Sequence, residues 1–288
     1  MDAIVFENVI KNMGDFTLDI PELAIKKGYI TGFIGENGAG KTTTIKLILN
    51  MLLLDQGEIK IDGLEVNQYA KEIKQKIGYV GEPTGYPQES KLHHIKQMIA
   101  PFYDKWDEAL FQKYIKAFGL VLDKKYGELS TGQKKQFALV MALSHKPDII
   151  LLDEPTAGLD PVVRSKMLDV LMAHMQDENV TIFYSTHITS DLERAGDFLV
   201  YIKDGRIEMN IEMEALLDNY CIVKGPKSLF TKDTKEVLVS YRKTSLGGEG
   251  LAKDKKLAKA FFGDEVKYIT PTIEDIMVFL SESKEASL

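Results

Sequence analysis

Three glycines, a lysine and two threonines stand close together near the N-terminus, in a spacing that suits phosphate binding. They lie in the stretch G-E-N-G-A-G-K-T-T, residues 35–43. Glycine permits positive φ angles, so successive backbone N–H groups can point into one concavity, and a following helix N-terminus adds partial positive charge. In this pattern Lys41 reaches the β- and γ-phosphates, and the hydroxyl of Thr42 binds Mg²⁺. We therefore predict that a nucleoside triphosphate contacts Gly35, Glu36, Asn37, Gly38, Ala39, Gly40, Lys41, Thr42 and Thr43.

The segments on both sides of this loop fit the same interpretation. Tyr29–Ile34 is predicted to be a short buried strand, and the apolar-rich stretch Thr43–Leu54 is predicted to be a helix. Strand, glycine loop and helix together are the setting of a P-loop. A glycine-rich hairpin turn is the alternative, but a hairpin requires neither the lysine nor a following helix. The sequence therefore favours a nucleotide site.

Two adjacent acids follow a long apolar run further along the chain. Ile149–Leu152 is uninterrupted by polar residues, and Asp153 and Glu154 come directly after it. Such a run predicts a buried parallel strand, and ligands of open α/β sheets bind outside the carboxyl ends of the strands. There, one carboxylate can hold Mg²⁺ while its neighbour accepts a proton from attacking water. Two acids at a solvent-facing strand end are the alternative, which the P-loop disfavours.

Composition excludes several classes of protein. The chain has 288 residues, of which 44% are hydrophobic and 27% charged, as expected for a globular protein of one large domain and a smaller one. We expect no membrane span and no signal peptide, because the sequence lacks long apolar runs and a basic N-terminal region. The single cysteine, Cys221, fits a reducing cytosol, and the net charge of −7 argues against nonspecific nucleic-acid binding.

The region before the P-loop is predicted to form an antiparallel sheet. Short strands are expected at Ile4–Phe6, Phe16–Ile20 and Leu23–Ile25, separated by Gly14-Asp15 and by Pro21. This sheet leads into the predicted P-loop strand.

The rest of the chain suggests a helical insertion and a separate C-terminal part. The insertion covers about residues 83–145, where Trp106–Phe118 has apolar residues at helical spacing. From about residue 211 lysines become frequent, and Ser245–Gly250 is predicted to be a flexible turn. We predict a domain over residues 1–210 and a small α+β accessory domain over 211–288. Its basic face is interpreted as solvated, with an anionic membrane surface or a regulatory partner as the alternative.

Five motifs in a fixed order resemble the nucleotide-binding subunit of ATP-binding cassette (ABC) transporters, over about residues 1–210. They are the P-loop, the loop around Glu82, the signature L-S-T-G-Q ending at Gln133, the run I-I-L-L-D-E-P-T-A-G-L-D-P, and His187 after a strand. The resemblance implies an α/β P-loop NTPase cassette with an antiparallel β subdomain, a mostly parallel core sheet, a helical subdomain and a small C-terminal α+β appendage. It also implies ATP hydrolysis with Mg²⁺ between two cassettes arranged head to tail. The protein would lie on the inner face of the membrane, bound to a separate transmembrane permease, with no nucleic-acid partner.

The resemblance also assigns roles to individual residues. Lys41 binds the β- and γ-phosphates, Glu154 orients water as the general base, and His187 contacts the γ-phosphate. The metal site comprises Thr42, Asp153 and Glu82.

A second group of residues is assigned to the dimer and to the base of the nucleotide. Ser130, Thr131, Gly132 and Gln133 would face the P-loop of the other cassette, where a helix N-terminus brings a positive dipole to the γ-phosphate. Asp160 would communicate across the dimer. Alignment puts Met13 where the family has an aromatic residue that stacks on adenine, and Phe16 is close enough to serve instead.

Departures from the family pattern bear on the type of transporter. Glu82 replaces the usual glutamine, as in the branch with lantibiotic-immunity and related peptide exporters, and Thr131 replaces a glycine of the signature. The run Tyr268–Met277 resembles the tail of drug and peptide exporters. We therefore expect export of a peptide, drug or other amphipathic compound.

Two alternatives to the exporter interpretation stay open. One is a soluble cassette ATPase acting on ribosomes or DNA, which the single P-loop and single cysteine disfavour. The other is a weakly catalytic regulatory cassette, suggested by Glu82.

Overall fold

The computed structural model describes residues 1–81, 85–176, 180–245 and 247–282. The chain divides into two compact units, the first made of Met1–Asp191 with Phe198–Asn210, and the second of Leu192–Asp197 with the residues from Ile211 onward. Within the described ranges, every helix is too short or too polar to cross a lipid bilayer.

The secondary-structure elements are numbered in chain order. The strands are β1 (Asp2–Met13), β2 (Phe16–Lys26), β3 (Ile30–Ile34), β4 (Gln56–Ile61), β5 (Leu64–Glu65), β6 (Ile77–Val80), β7 (Ile149–Asp153), β8 (Thr181–Thr186), β9 (Phe198–Lys203), β10 (Arg206–Glu212), β11 (Cys221–Gly225), β12 (Leu238–Thr244), β13 (Gly247–Ala252) and β14 (Lys267–Ile269). The helices are α1 (Lys41–Ile48), α2 (Ala70–Lys76), α3 (Leu92–Ile99), α4 (Glu108–Phe118), α5 (Thr131–Leu143), α6 (Pro161–His174), α7 (Thr189–Ala195), α8 (Met213–Asn219), α9 (Lys255–Phe262) and α10 (Ile273–Glu282).

The N-terminal strands form a sheet in the order β2-β1-β4-β5. All of its pairs are antiparallel, as predicted. Gly14, with a φ of 64°, lies in the predicted turn between β1 and β2. The prediction that Pro21 separates two short strands is wrong, because β2 continues through it. Since β2 is an edge strand, the proline nitrogen can face the open edge, where a missing N–H removes no ladder hydrogen bond.

The core sheet confirms the predicted, mostly parallel arrangement. Its order is β10-β9-β3-β8-β7-β6, and the pairs from β9 to β6 are parallel. All residues of β3, β7 and β8 are buried, as expected of parallel strands that are covered on both faces of the sheet. Because parallel strands end at the same edge of a sheet, the residues that follow β3, β7 and β8 emerge together.

The P-loop helix α1 is shorter than predicted and ends at Ile48. The N–H of Asn50 binds the carbonyl of Leu47, and the N–H of Met51 binds the carbonyl of Lys46. Asn50 has a φ of 52°, so these contacts form a Schellman motif with asparagine in the left-handed position. An apolar sequence alone did not reveal this end, because the stretch beyond Ile48 remains rich in leucine.

The predicted helical region contains α3, α4 and α5. Helix α4 begins after Asp107, whose Oδ1 accepts a hydrogen bond from the N–H of Leu110 at 2.9 Å. Trp106, where the predicted helical pattern begins, therefore precedes the helix and is half-buried. The buried face of α4 comprises Phe111, Tyr114, Ile115 and Phe118.

The second unit contains a four-stranded antiparallel sheet, in the order β12-β13-β11-β14, together with helices. The prediction of a flexible turn over Ser245–Gly250 is wrong, because Gly247–Gly250 lie in β13. A Cβ atom on Gly248 would approach Cδ2 of Phe230 to 2.2 Å, and one on Gly250 would approach Cδ1 of Leu238 to 2.7 Å. These glycines therefore allow β13 to pack closely against neighbouring side chains.

Asp62 anchors the turn between β4 and β5, and its contacts lead to a testable prediction. Its carboxylate binds Nζ of Lys27 at 2.9 Å and Nζ of Lys76 at 3.2 Å. Burial works against ionisation of Asp62, but hydrogen bonds from both lysines outweigh it and hold the pKa below the ordinary 3.8. We expect Asp62→Asn to lower the free energy of unfolding by about 1 kcal/mol at pH 7.

The pH dependence of this effect has a definite sign. A depressed carboxyl pKa stabilises the folded state above the unfolded pKa, and that contribution is lost as the pH falls through the folded pKa. In denaturant titrations the deficit of Asp62→Asn should therefore shrink below about pH 3.8. Asp15→Asn, in the exposed turn after β1, is the control. A deficit that stays constant down to pH 2 would contradict this account.

Candidate nucleotide-binding site

The glycine loop connects β3 to α1 and has the backbone conformation that its sequence predicts. Gly38 and Gly40 have φ angles of 85° and 112°, in the region that favours glycine. A Cβ atom on Gly35 would lie 2.4 Å from the carbonyl oxygen of Ile202, so only glycine fits beside β9. Gly40 is the N-cap of α1. The loop therefore leads directly into the N-terminus of α1, whose partial positive charge favours a bound phosphate.

Lys41 is the first residue of α1, and its side chain folds back onto this loop. Only 7% of it is exposed, and its Nζ donates to the carbonyls of Gly35 at 2.7 Å and Glu36 at 3.1 Å. Burial lowers the pKa of Lys41, while the carboxylates of Glu154 and Asp153 act in the opposite direction. Phosphate oxygens would replace two neutral carbonyls with charged acceptors, which form stronger hydrogen bonds.

Glu154 and His187 meet beside Lys41. His187 Nδ1 lies 2.8 Å from Glu154 Oε2, and Lys41 Nζ lies 3.8 Å from Glu154 Oε1. Glu154 has a φ of 50°, which is uncommon for a residue other than glycine and turns the chain sharply after β7. Residues from the ends of β7 and β8 and from the loop after β3 thus converge on one point.

Asp153, the last residue of β7, is buried next to this group. Among the described residues, its Oδ1 atom has no hydrogen-bond partner. Burial and then the Asp153 carboxylate raise the pKa of Tyr79 to about 12, so the phenol stays protonated at neutral pH. A buried carboxylate oxygen without a partner is suited to bind a cation or its water ligands.

The glycine loop and Glu154 border a cleft of about 330 Å³. Lys41, Thr42 and Glu154 lie along it, together with Asn37, Gly38, Gly40, Thr43, Met13 and Phe16. Met13 and Phe16 both line the cleft, and the Thr43 hydroxyl lies 3.8 Å from the sulfur of Met13. Both therefore remain candidates for stacking on adenine. Glu82, the third predicted metal ligand, lies outside the described residues.

The signature residues begin α5 and are not among those that line this cleft. Ser130 Oγ accepts from the N–H of Gln133 at 3.2 Å, and Gln133 Oε1 accepts from the N–H of Ser130 at 3.1 Å. This capping box confirms the predicted helix start. Ser130 and Thr131 are exposed, and Gly132 and Gln133 are half-buried.

Asp160 caps the next helix, α6, as predicted. Its Oδ1 accepts hydrogen bonds from the N–H groups of Val162 and Val163, both at 3.0 Å, and Pro161 occupies the first helical position. In this chain its side chain is therefore engaged locally. Its role across a dimer stays a prediction.

The sequence did not reveal a buried polar cluster behind Glu154. Asp191, only 1% exposed, accepts from Thr156 Oγ1 at 2.6 Å, Tyr184 Oη at 2.8 Å and Arg164 Nε at 2.5 Å. Burial and Asp191 raise the pKa of Tyr184, which keeps its hydroxyl a donor. The cluster joins the segment after β7 to β8 and α6. Asp191 near a helix start has the sequence signature of an exposed acid, so no local signal marks it.

Comparisons with known proteins agree with this geometry. Residues 18–157 match the family model described as ABC transporter. The ATP-binding protein YtrB of Bacillus subtilis is 31% identical, over 72% of this chain and 70% of the relative. The bacitracin transport ATP-binding protein BcrA of Bacillus licheniformis is 32% identical, over 69% of this chain and 66% of its own length. The dimeric structure of MJ0796, a bacterial ABC transporter cassette, superposes with a TM-score of 0.65 at 26% identity, over 73% of this chain and 98% of that chain.

The glycine loop, the two acids at the end of β7 and the histidine after β8 lie together in a fold shared with solved cassettes. The fold and the motif order predicted from the sequence are thereby confirmed, and the relatives named above are transporter proteins rather than ribosome or DNA factors. This chain belongs to the ABC transporter family, as an ATP-binding subunit with ATPase activity.

Proposed function

We propose that this chain drives a separate membrane permease that exports a peptide, a drug or another amphipathic compound. The ATPase role rests on the convergence of Lys41, Glu154 and His187 at the glycine loop. Glu154 Oε2 lies 2.8 Å from His187 Nδ1. The export direction rests on the similarity to a bacitracin transport protein, on Glu82, and on the resemblance of Tyr268–Met277 to exporter tails.

The chemistry proposed for the site uses the side chains in distinct roles. Lys41 leaves the carbonyls of Gly35 and Glu36 and binds the β- and γ-phosphates of ATP, together with backbone N–H groups of the loop. Glu154 accepts a hydrogen bond from the attacking water and orients it toward the γ-phosphate. His187 holds Glu154 in place at 2.8 Å and reaches the γ-phosphate.

The residues present fit a divalent cation. Thr42 is exposed at the start of α1, and Asp153 contributes a buried carboxylate oxygen that has no partner among the described residues. We propose that Thr42 and Asp153 hold Mg²⁺. Glu82 would be a further ligand, or would bind a water molecule that is coordinated to the Mg²⁺. When bound, Mg²⁺ neutralises charge on the phosphates as it develops during transfer.

A second cassette would complete the site. Ser130, Thr131, Gly132 and Gln133 begin a helix, are at least partly exposed, and do not line the cleft of their own chain. We propose that they face the nucleotide bound by another cassette, in a head-to-tail homodimer or heterodimer, and that Asp160 lies near the same interface. The residues 211–288 would act as an accessory domain.

Purification from native membranes tests the proposed partner. A tagged chain, recovered from detergent-solubilised membranes, should co-elute with a polytopic membrane protein, and in fractionation it should sediment with membranes only when that partner is present. Recovery with ribosomes or nucleic acid, or fractionation as a soluble protein despite co-expression of a candidate permease, would contradict the transporter function.

A further inference from the structure

Lys135, in the second turn of α5, contacts the backbone of the segment that carries Glu154. Its Nζ donates to the carbonyl oxygen of Glu154 at 2.9 Å and to that of Ala157 at 2.7 Å. The side chain is half-buried. One ammonium group therefore ties the signature helix to both ends of the turn that follows β7. Hydrogen bonds from charged donors are stronger than those between neutral groups.

The backbone at Glu154 needs such a contact. Its φ of 50° is an unfavourable conformation for a residue with a Cβ atom, and it persists only when neighbouring groups stabilise it. The N–H of Glu154 binds the carbonyl of Ser185 at 3.0 Å, which secures the nitrogen side. The carbonyl oxygen of Glu154 accepts only a long backbone hydrogen bond, from the N–H of Ala157 at 3.4 Å. Lys135 provides the shorter contact to that carbonyl.

The polar cluster around Asp191 does not replace this contact. Asp191 binds the side chain of Thr156, two residues after Glu154, and so holds Thr156 against β8 and α6. The carbonyl of Glu154 lies between this anchor and β7. The carboxylate moves with its own Cα atom, so a displacement of the Glu154 backbone would shift it relative to His187 and Lys41. Lys135 opposes that displacement by holding the Glu154 carbonyl.

We propose that Lys135 is a positioning residue for ATP hydrolysis, which holds the backbone of Glu154 so that its carboxylate faces the attacking water. This inference rests on the proposed role of Glu154 as the base. Because α5 begins with the signature residues, the same lysine also links the helix that faces a second cassette to the catalytic glutamate of its own chain.

Lys135→Met tests the proposal, with Lys134→Met as the matched control. Methionine keeps the length of the side chain and removes the donors. Misplacement of a catalytic group by a fraction of an ångström is expected to lower kcat about 10-fold, with KM for ATP changed less than about 2-fold. Lys134 instead lies over the ring of Tyr126, at 5.3 Å, and its loss should leave kcat near the wild-type value. Lys135→Arg, which retains donors and charge, should recover part of the rate.

Combining Lys135→Met with Glu154→Gln distinguishes a positioning role of Lys135 from a general effect on folding. In single-turnover assays the residual rate of Glu154→Gln should change less than about 2-fold when Lys135→Met is added, because the group being positioned is already disabled. An equal loss in both backgrounds, or a wild-type kcat for Lys135→Met, would overturn the proposal. If Glu154→Gln itself hydrolyses ATP at the wild-type rate, the proposed base is wrong instead.

Discussion

Replacing Glu154 by glutamine is expected to lower kcat for ATP hydrolysis by about 10²- to 10⁴-fold, the range that general-base catalysis supplies. Glutamine has the same shape, so it can keep the contact with His187 and can occupy the same backbone conformation. It carries no negative charge and cannot accept the proton of the attacking water. Phosphate release at saturating ATP measures this loss.

Nucleotide binding by the same variant should remain intact. Glu154 Oε1 lies 3.8 Å from Lys41 Nζ, so removing its charge frees the lysine for phosphate and leaves the glycine loop unchanged. Equilibrium binding of ATP is expected at wild-type strength or tighter. Glu22→Gln, an exposed position of β2, is the control and should hydrolyse ATP normally. A hydrolysis rate within a factor of two of the wild type would exclude Glu154 as the base.

Replacing Lys41 by methionine is expected to weaken ATP binding by about 10- to 100-fold, because one to two charge-assisted hydrogen bonds to phosphate are lost. The rate at saturating ATP should fall further, by about 10²-fold or more, because the charge that develops on the γ-phosphate is no longer stabilised. A nucleotide titration followed by single-turnover hydrolysis measures both effects.

The loss should come from the site and not from the fold. In the folded chain Lys41 lines the cleft and its Nζ binds two carbonyls, and water that enters from the cleft can take over those hydrogen bonds. The methionine side chain retains the apolar contacts of the lysine stem. Lys46→Met, in the last turn of α1, is the matched control and should bind ATP normally. Equal losses in both variants would show that charge on α1, rather than the position of Lys41, controls binding.

The two variants also distinguish ATP hydrolysis from binding to partner proteins. A chain with Glu154→Gln should still bind a permease and a second cassette, because neither the signature helix nor the second unit is altered. A chain with Lys41→Met should lose any association that requires bound ATP. Comparing the two after purification from membranes therefore shows which contacts depend on nucleotide and which do not.

Elements whose physical causes lie within a few residues could be predicted from the sequence. The glycine spacing before Lys41, the capping residues Ser130 and Asp160, and the apolar run that ends at Asp153 each act through adjacent backbone or through burial of one continuous segment. These local rules sufficed to predict the loop, the helix starts and the strand end, and the order of the motifs identified the family.

Features whose partners are distant in sequence could be identified only from the folded chain. Pro21 is tolerated in β2 because that strand is at an edge, and Gly247–Gly250 lie in a strand because they pair with β11 and β12. Phe230 and Leu238 occupy the space that side chains at Gly248 and Gly250 would need. Lys135 reaches Glu154 across 19 positions, and Thr156 reaches Asp191 across 35. A lysine in a helix or an aspartate at a helix start looks solvent-exposed in sequence, because the groups that bury and pair it are brought near only when the sheet and helices pack.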